Sequence, residues 1–234
     1  MAAGLRPSRW QQLGLELPLE PQFSRDDFLI SDSNADAVRM IEAWPHWPDP
    51  VLLLVGGPGT GKSHLATIWA VQAGAEIISG DALATADIAE LAKSPALAID
   101  ATDALGAAEA PLFHLLNLAR QERMSVLLTA RCRPDHWSLK TPDLLSRLRL
   151  APSVELGAPD DALLHAVVGK LFRDRQLLVE PAVIDFIALH IDRSLDVARA
   201  FVALIDRVAL ARGSAVTRAL ARELLLDVDD DDVE

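Results

Sequence analysis

The chain has 234 residues, half of them apolar, and its 34 Asp and Glu outnumber its 22 Lys and Arg, for a net charge of −12. A protein that grips nucleic acid needs excess positive charge, so this balance argues against direct DNA binding by the whole chain. No apolar run of about 18 residues could span a membrane, and the first ten residues lack the apolar centre of a secretory signal. The single cysteine, Cys132, excludes an intrachain disulfide and favours a reducing compartment, so we expect a cytoplasmic protein.

The first 157 residues divide into an arm and an α/β section. Residues 1–22 surround a short apolar peptide with Pro, Gln and Arg, which is typical of a flexible arm. From residue 23 to 157, short apolar runs alternate with helical patterns such as Lys62–Ala73 and Ala110–Gln121, which predicts β-α units and a parallel sheet. The expected strands are buried on both faces, and they are Val51–Val55, Ile77–Ser79, Ala96–Ile99 and Val126–Thr129, with Val154–Leu156 as a fifth candidate.

The rest of the chain predicts helices. Residues 158–226 show no strand pattern, and Gly and Pro residues fall between segments in which apolar residues recur with helical spacing. These segments are Ala162–Phe172, Ala182–His190, Leu195–Arg212 and Val216–Leu225. We therefore expect an α/β domain over residues 23–157, a small all-helical domain over residues 158–226, and a disordered acidic tail over residues 227–234.

A glycine-rich segment follows the first predicted strand. Residues 56–63 match the pattern G-x-x-x-x-G-K-[ST] between a strand and a helix, which is the context that a P-loop requires. In a P-loop, backbone N–H groups and the helix start surround phosphate, the Lys reaches the β- and γ-phosphates, and the hydroxyl ligates Mg²⁺. We expect ADP or ATP with Mg²⁺, bound by Gly56, Gly57, Pro58, Gly59, Thr60, Gly61, Lys62 and Ser63, with Ser63 as a metal ligand.

The third predicted strand leads directly into Asp100. An apolar strand that ends in a carboxylate, in a chain with a P-loop, is the pattern of the second metal-holding element of ATPases, so we expect Asp100 to join Ser63 in binding Mg²⁺. An ordinary Asp at a strand end is the alternative. Many ATPases place a second carboxylate next in sequence to polarise the attacking water, but here that residue is Ala101, and Asp103 lies two positions further on. Intrinsic hydrolysis should therefore be slow.

Four further motifs resemble those of the DnaA-type replication initiators, which belong to the AAA+ class. The sequence GKSHL at Gly61–Leu65 is similar to their G-K-T-H-L, and residues 23–34 resemble the segment that borders the adenine. Leu112–Asn117 is similar to their F-F-H-x-F-N helix, and Asp143–Leu148 to their box VII, which carries an arginine finger. The resemblance covers about residues 12–226.

The resemblance implies roles for individual residues. His64, Leu29 and Ile30 would adjoin the nucleotide, the small helical domain would be the AAA+ lid, and Arg147 would be the arginine finger. Such a finger stabilises charge that develops on a γ-phosphate and can be supplied in trans. A solvated Arg147 that pairs with Asp143, one turn earlier on the same helix, is the alternative.

The matched region lacks the initiators' DNA-binding and N-terminal domains, and in this it resembles the Hda-type family of short DnaA homologues. Members of that family bind the sliding clamp of DNA polymerase III and promote hydrolysis of the ATP that DnaA holds, so the resemblance implies those two partners. Residues 12–17, QLGLEL, resemble the family's clamp-binding peptide. When the peptide is extended, Leu13, Leu15 and Leu17 lie on one side, ready for an apolar groove, and Gln12 supplies a directional hydrogen bond. A strand folded onto its own domain is the alternative, and the oligomeric state stays open, a homo-oligomer included.

Two positions depart from the family pattern. The place of the sensor 2 Arg reads Leu195–Ala198, with Arg193 and Arg199 as the nearest cations, and the sensor 1 strand ends with Thr129, whose hydroxyl could reach a phosphate or a water. Both departures favour a nucleotide that sets conformation over one that is rapidly consumed. A self-sufficient P-loop ATPase and a loader or scaffold for a helicase are the other classes of function. The missing second carboxylate counts against the first, and the clamp peptide counts against the second.

Overall fold

The computed structural model describes the backbone of residues 24–231 and the side chains of residues 24–226. Five parallel strands form one sheet in the order β2-β3-β4-β1-β5, and each end lies within one residue of its predicted position. The strands are β1 Val51–Val55, β2 Glu76–Ser79, β3 Ala96–Asp100, β4 Ser125–Ala130 and β5 Ser153–Glu155. The predicted α/β class with a parallel sheet is confirmed.

Helices cover both faces of the sheet because the central strands are apolar on both sides. Ile41 of α1 and Trp69 of α2 are buried against one face, whereas Leu115 of α4 and Leu144 of α5 are buried against the other. The helices of this domain are α1 Ala35–Glu42, α2 Lys62–Ala73, α3 Ile88–Leu91, α4 Glu109–Glu122 and α5 Pro142–Leu150. Three short 3₁₀ helices lie in the connections, at Asp81–Ala84, Thr102–Ala104 and Pro134–His136.

The carboxyl ends of the central strands lie side by side. β4 pairs with β1 on one side and with β3 on the other, so the residues that end these strands come to one edge of the sheet. Gly56 follows β1, Asp100 ends β3, and Thr129 is the penultimate residue of β4. Ligands of open parallel sheets bind at this edge, which is where the sequence motifs converge.

A second group of helices has its own core, as the sequence predicts. The four helices enclose the buried side chains of Phe172, Ile187 and Ile205. They are α6 Asp161–Asp174, α7 Pro181–His190, α8 Leu195–Arg212 and α9 Arg218–Asp231. Asp160 and Ser194 start two of them as N-caps, accepting hydrogen bonds from the N–H groups of Leu163 and Val197.

The last helix continues beyond its predicted end. The pattern predicts a helix over Val216–Leu225 and a disordered tail from residue 227, whereas α9 runs to Asp231. An established helix adds a residue at little cost, so the first acidic residues of the segment extend it. Among the helices that the structure describes, none is both long and apolar enough to cross a membrane.

Candidate nucleotide-binding site

The P-loop turns at two glycines. Gly59 and Gly61 have φ angles of 66° and 98°, in the left-handed region that L side chains rarely adopt. α2 begins directly afterwards at Lys62, and Gly61 offers its first turn no side-chain cap. The first N–H groups of a helix have no partner within the helix, and in P-loop proteins such groups bind phosphate.

The ammonium of Lys62 lies within the loop. Its Nζ donates a hydrogen bond of 2.6 Å to the carbonyl oxygen of Gly57. Burial lowers the pKa of this ammonium, and the carboxylates of Asp100, Asp103 and Asp196 oppose that shift. A half-buried cation among backbone amides matches the Lys that contacts the β- and γ-phosphates in P-loop proteins.

Ser63 and Asp100, the two predicted metal ligands, are neighbours. Ser63 Oγ lies 3.1 Å from Asp100 Oδ2 and 3.4 Å from Oδ1. Hydroxyl and carboxylate oxygens suit Mg²⁺, which keeps several waters and combines one or two carboxylates with substrate phosphates. Within the described side chains, no group of three or more His, Cys, Asp or Glu could hold a metal by itself. The donor set therefore fits an Mg²⁺ whose coordination phosphate and water complete.

Thr129 orients the carboxylate of Asp100. The side chain is buried, and its hydroxyl donates to Asp100 Oδ1 while accepting a 3.1 Å hydrogen bond from the N–H of Ala101. In the structure this hydroxyl contacts the neighbouring strand, because Ile99 of β3 is in register with Leu128 of β4. That it also reaches a phosphate or a water stays a prediction.

Ala101 and Asp103 form the turn after β3. Ala101 has φ 54°, an uncommon conformation for a residue other than Gly, and it carries no group that could activate water. Asp103 Oδ1 accepts a 3.2 Å hydrogen bond from the N–H of Arg131, at the end of β4. Asp103, the carboxylate nearest in sequence to the missing second acid, therefore links the loops after β3 and β4. Its negative charge also favours the charged form of Lys62.

The segment before α1 reaches the P-loop at Phe28, whose ring lies 3.6 Å from the position of a Cβ on Gly61. The buried Asn34 holds this segment, since Asn34 Oδ1 accepts from Ser31 N at 2.9 Å and Nδ2 donates to Leu29 O at 3.0 Å. Ile30 is 50% exposed, and Leu29 is partly buried. An exposed Ile within an otherwise fixed loop suits contact with the flat face of a base.

His64 joins the start of the described chain to α2. Its Nε2 lies 3.1 Å from the carbonyl oxygen of Ser24, and its ring meets Phe28 edge-on at 5.0 Å between centroids. Burial lowers the pKa of the imidazole, although the hydrogen bond to Ser24 opposes the shift. His64 therefore contacts the segment that carries Leu29 and Ile30, which was expected to border the nucleotide.

The first turn of α8 rests on the P-loop, a contact that sequence analysis missed. The N–H of Leu195 donates a 2.8 Å hydrogen bond to the carbonyl oxygen of Gly59. A Cβ on Gly59 would lie 1.9 Å from Ser194 Oγ. The sequence signal was Ser194 as an N-cap before a helical pattern, but that signal says nothing about where the helix end lies.

Neither candidate for the sensor 2 cation is an isolated charge. Arg193 pairs with Asp161 at 2.7 Å, and Arg199 pairs with Asp196 at 2.9 Å. Asp196 itself acts electrostatically on Lys62. The start of α8 therefore brings the carboxylate of Asp196 near the P-loop, whereas the DnaA-type initiators carry the sensor 2 Arg at this place in the sequence.

Arg147 lies on α5 and contacts α4. Its guanidinium stands over the ring of Phe113, 5.4 Å from the centroid. It lines an open cavity of about 450 Å³ with residues of α4, among them His114, Asn117 and Arg120, and no P-loop residue lines this cavity. Within the side chains described, no carboxylate pairs with Arg147, Asp143 included. The roles of arginine finger and of solvated surface residue both stay predictions.

The predicted clamp-binding peptide at Gln12, Leu13, Leu15 and Leu17 lies outside the described residues.

These features define the class of fold. A five-stranded parallel sheet, a P-loop between β1 and α2, a carboxylate at the end of β3 and a helical domain that contacts the loop together form a fold similar to that of DnaA domain III. No protein-family model matches the sequence, and no curated protein matches it either.

Solved structures match the fold over most of the chain. Domain III of the Thermotoga maritima replication initiation protein DnaA is 21% identical, with a TM-score of 0.78 over 90% of this chain and 98% of that one. AMPPCP-bound DnaA from Aquifex aeolicus is 19% identical, with a TM-score of 0.68 over 80% of this chain and 66% of that one. The Thermotoga maritima RuvB Holliday junction branch migration motor is 21% identical, with a TM-score of 0.68 over 88% and 73%. This chain thus spans about two thirds of that Aquifex DnaA.

Proposed function

We propose that this protein is a nucleotide-bound AAA+ regulator of chromosomal replication initiation. In this proposal it binds ADP or ATP with Mg²⁺ at the P-loop, binds the sliding clamp through residues 12–17, and stimulates hydrolysis of the ATP that DnaA holds, as Hda-type proteins do. The likeness to DnaA supports a role in replication, and the AMPPCP-bound neighbour supports nucleotide binding by this fold.

The position of Arg147 carries the proposal. A cation that stabilises a transferring phosphoryl group must reach the γ-phosphate, but Arg147 lines a cavity on α4 that contains no residue of its own P-loop. The described carboxylates leave it unpaired, and the aromatic ring beneath it supports the guanidinium. Such a cation is available to a nucleotide held by another protein.

The chain's own site is built to hold nucleotide more than to consume it. Ser63, Asp100 and Lys62 supply the metal ligands and the phosphate cation. The residue after Asp100 is Ala101, and Asp103 accepts from the backbone of Arg131. Bound Mg²⁺ would neutralise phosphate charge here, while Thr129 holds Asp100 in place.

A substitution at Arg147 tests its proposed role as an arginine finger. Arg147→Ala should abolish stimulation of DnaA's ATPase while leaving nucleotide and clamp binding unchanged. Arg149→Ala is the matched control, since Arg149 lies on the same helix but pairs with Asp135 at 2.8 Å, and it should stimulate normally. Stimulation that survives in Arg147→Ala would contradict the assignment.

Deleting Gln12 and Leu13 tests the clamp peptide separately. The deletion should remove binding to immobilised sliding clamp, because the peptide loses its directional hydrogen bond and one apolar anchor. Nucleotide affinity should stay the same, since the P-loop lies elsewhere in the chain. Unchanged clamp affinity would defeat this part of the proposal without affecting the role of Arg147.

A self-sufficient ATPase is the second candidate, because the charge of Asp103 acts on Lys62 inside the site. A single-turnover assay of the isolated protein separates the two functions. We expect slow hydrolysis, unchanged by Arg147→Ala. Brisk hydrolysis that Asp103→Asn removes would favour the enzyme.

A further inference from the structure

The surface between α1 and α2 carries an apolar groove beside the segment that precedes α1. It has a volume of about 730 Å³, and its apolar lining is Phe28, Val38, Ile41, Leu65, Ile68 and Val71. Val71 is 79% exposed, an unusual state for a Val beside five buried apolar neighbours. Exposure of such an apolar surface to water costs free energy, so a covering segment would stabilise the protein.

The groove lies where the described chain begins. Ser24 and Arg25 line it, and Arg25 forms a salt bridge of 2.5 Å with Glu42 of α1. Because Ser24 lines the groove, the chain that precedes it is tethered there at high effective concentration. A tethered segment needs little affinity to occupy a site beside its own attachment.

Residues 13–23, which precede the described part of the chain, have alternating apolar positions that suit an apolar groove. From residue 13 to residue 23 every odd position is apolar or Pro, and the even positions are Gly14, Glu16, Pro18, Glu20 and Gln22. Side chains two residues apart share one side of an extended chain. The clamp peptide accounts for Leu13, Leu15 and Leu17, but the same side continues through Leu19 and Phe23, for which that peptide has no use.

The lengths agree. An extended chain spans about 3.3 Å per residue, so the four steps from Leu19 to Phe23 cover about 13 Å. The groove follows α2 from Leu65 to Gln72, which at about 1.5 Å per helical residue is about 11 Å. Anchors at Leu19 and Phe23 would therefore lie close to the two ends of the groove.

We propose that residues 19–23 lie extended in the groove between α1 and α2, with Leu19 and Phe23 inserted among its apolar side chains. Residues 12–17 then leave the domain from a fixed point, close enough that binding a clamp also positions the AAA+ domain. The binding of residues 19–23 in the groove is independent of the proposed function. The positioning of the domain by a bound clamp rests on the proposed function.

A double-mutant cycle in the full chain tests the contact. Phe23→Ser and Val71→Glu should each lower Tm by about 3 °C, and the double variant should be no less stable than either, because one contact is lost only once. Leu210→Glu is the control, since Leu210 is 71% exposed on α8 and does not line the groove. Its effect should add to that of Phe23→Ser. Additive shifts for Phe23 and Val71, or no shift with Phe23→Ser, would overturn the proposal.

Disulfide trapping gives a second, independent measurement. In a Cys132→Ser background, Leu19→Cys with Val71→Cys should form an intrachain disulfide under mild oxidation, and Leu19→Cys with Leu210→Cys should not. Equal trapping of both pairs would overturn the proposal. Disulfide-linked dimers with Val71→Cys would also overturn it, because a second copy of the chain would then occupy the groove. None of these outcomes depends on clamp or DnaA binding, so failure here is distinguishable from failure of the proposed function.

Discussion

The N–H of Leu195 donates a hydrogen bond of 2.8 Å to the carbonyl oxygen of Gly59, so the helical domain contacts the P-loop through the backbone. Ser194 is close behind, with its Oγ 1.9 Å from the position of a Cβ on Gly59. The first turn of α8 therefore packs directly against the P-loop. We expect a change in the conformation of the loop to shift the start of α8, and this contact is how a bound nucleotide would influence the helical domain in the proposed function.

Gly59→Ala should disrupt the contact between the P-loop and the first turn of α8. The added Cβ would meet Ser194 Oγ at 1.9 Å and Ser194 Cβ at 2.9 Å, so α8 must move away from the loop. We expect ADP affinity, measured by calorimetry, to fall about tenfold, or about 1.4 kcal/mol.

Gly74→Ala is the matched control for that variant. Gly74 has nearly the same φ, 62°, but a Cβ there meets nothing within 4 Å. Both variants should lose about 1 kcal/mol of folding stability from Ala at positive φ, and only Gly59→Ala should lose nucleotide. Equal ADP affinities in the two variants would show that the α8 contact is dispensable.

Asp196→Asn should tighten ATP binding more than ADP binding. Asp196 lies beside the P-loop, with its N atom 3.3 Å from the position of a Cβ on Gly59, and its carboxylate favours the charged form of Lys62. Removing a negative charge from the neighbourhood of a triphosphate should improve its affinity about threefold to tenfold, since the side chain is exposed and screened. Asp161→Asn, which alters a carboxylate of the same domain that pairs with Arg193, should leave both affinities unchanged. Weaker ATP binding by Asp196→Asn would contradict this role.

Ser63→Ala should remove the effect of Mg²⁺ on nucleotide affinity. In the proposed site Ser63 Oγ and Asp100 ligate the ion together, so the variant should bind nucleotide in Mg²⁺ about as weakly as the original protein does in EDTA. Titrations with and without EDTA provide the measurement. Thr67→Ala is the control, because Thr67 lies one turn later and its hydroxyl bonds only the backbone oxygen of Ser63. A full Mg²⁺ effect in Ser63→Ala would exclude Ser63 as a ligand.

Stability should fall as the pH drops below about 6.5, in part because of His64. In the unfolded chain this imidazole has its ordinary pKa of 6.5, whereas burial lowers the pKa in the folded protein. The unfolded state then binds more protons, so the stability present above pH 6.5 is lost as the pH falls towards the lowered pKa. Tm measured between pH 7 and pH 5 should decrease, and less so in His64→Gln, which keeps a donor for Ser24. Parallel curves for the two proteins would contradict the assignment.

Local patterns in the sequence were sufficient for the elements of the site. The apolar run Val51–Val55 and the glycines after it predict a strand, a P-loop and a helix over Lys62–Ala73, and the structure has the same bounds for both elements. The reason is that backbone conformation at these positions follows from neighbouring residues: buried β-forming side chains, glycines at positive φ, and a helical apolar pattern. The pairing of Ser63 with Asp100 also follows, since parallel strands end at one edge.

The tertiary structure decided which groups complete the site. The carboxylate of Asp196 acts on Lys62, the hydroxyl of Thr129 bonds Asp100, and Arg147 lies over Phe113 on a cavity that its own P-loop does not line. These contacts join residues far apart in the chain, and they depend on how whole helices and strands pack. No local pattern specifies that packing. The sequence therefore determined the P-loop and the proximity of Ser63 to Asp100, whereas the packing of α8 and α5 decided that Asp196 lies near the loop and that Arg147 lies on a cavity that the loop does not line.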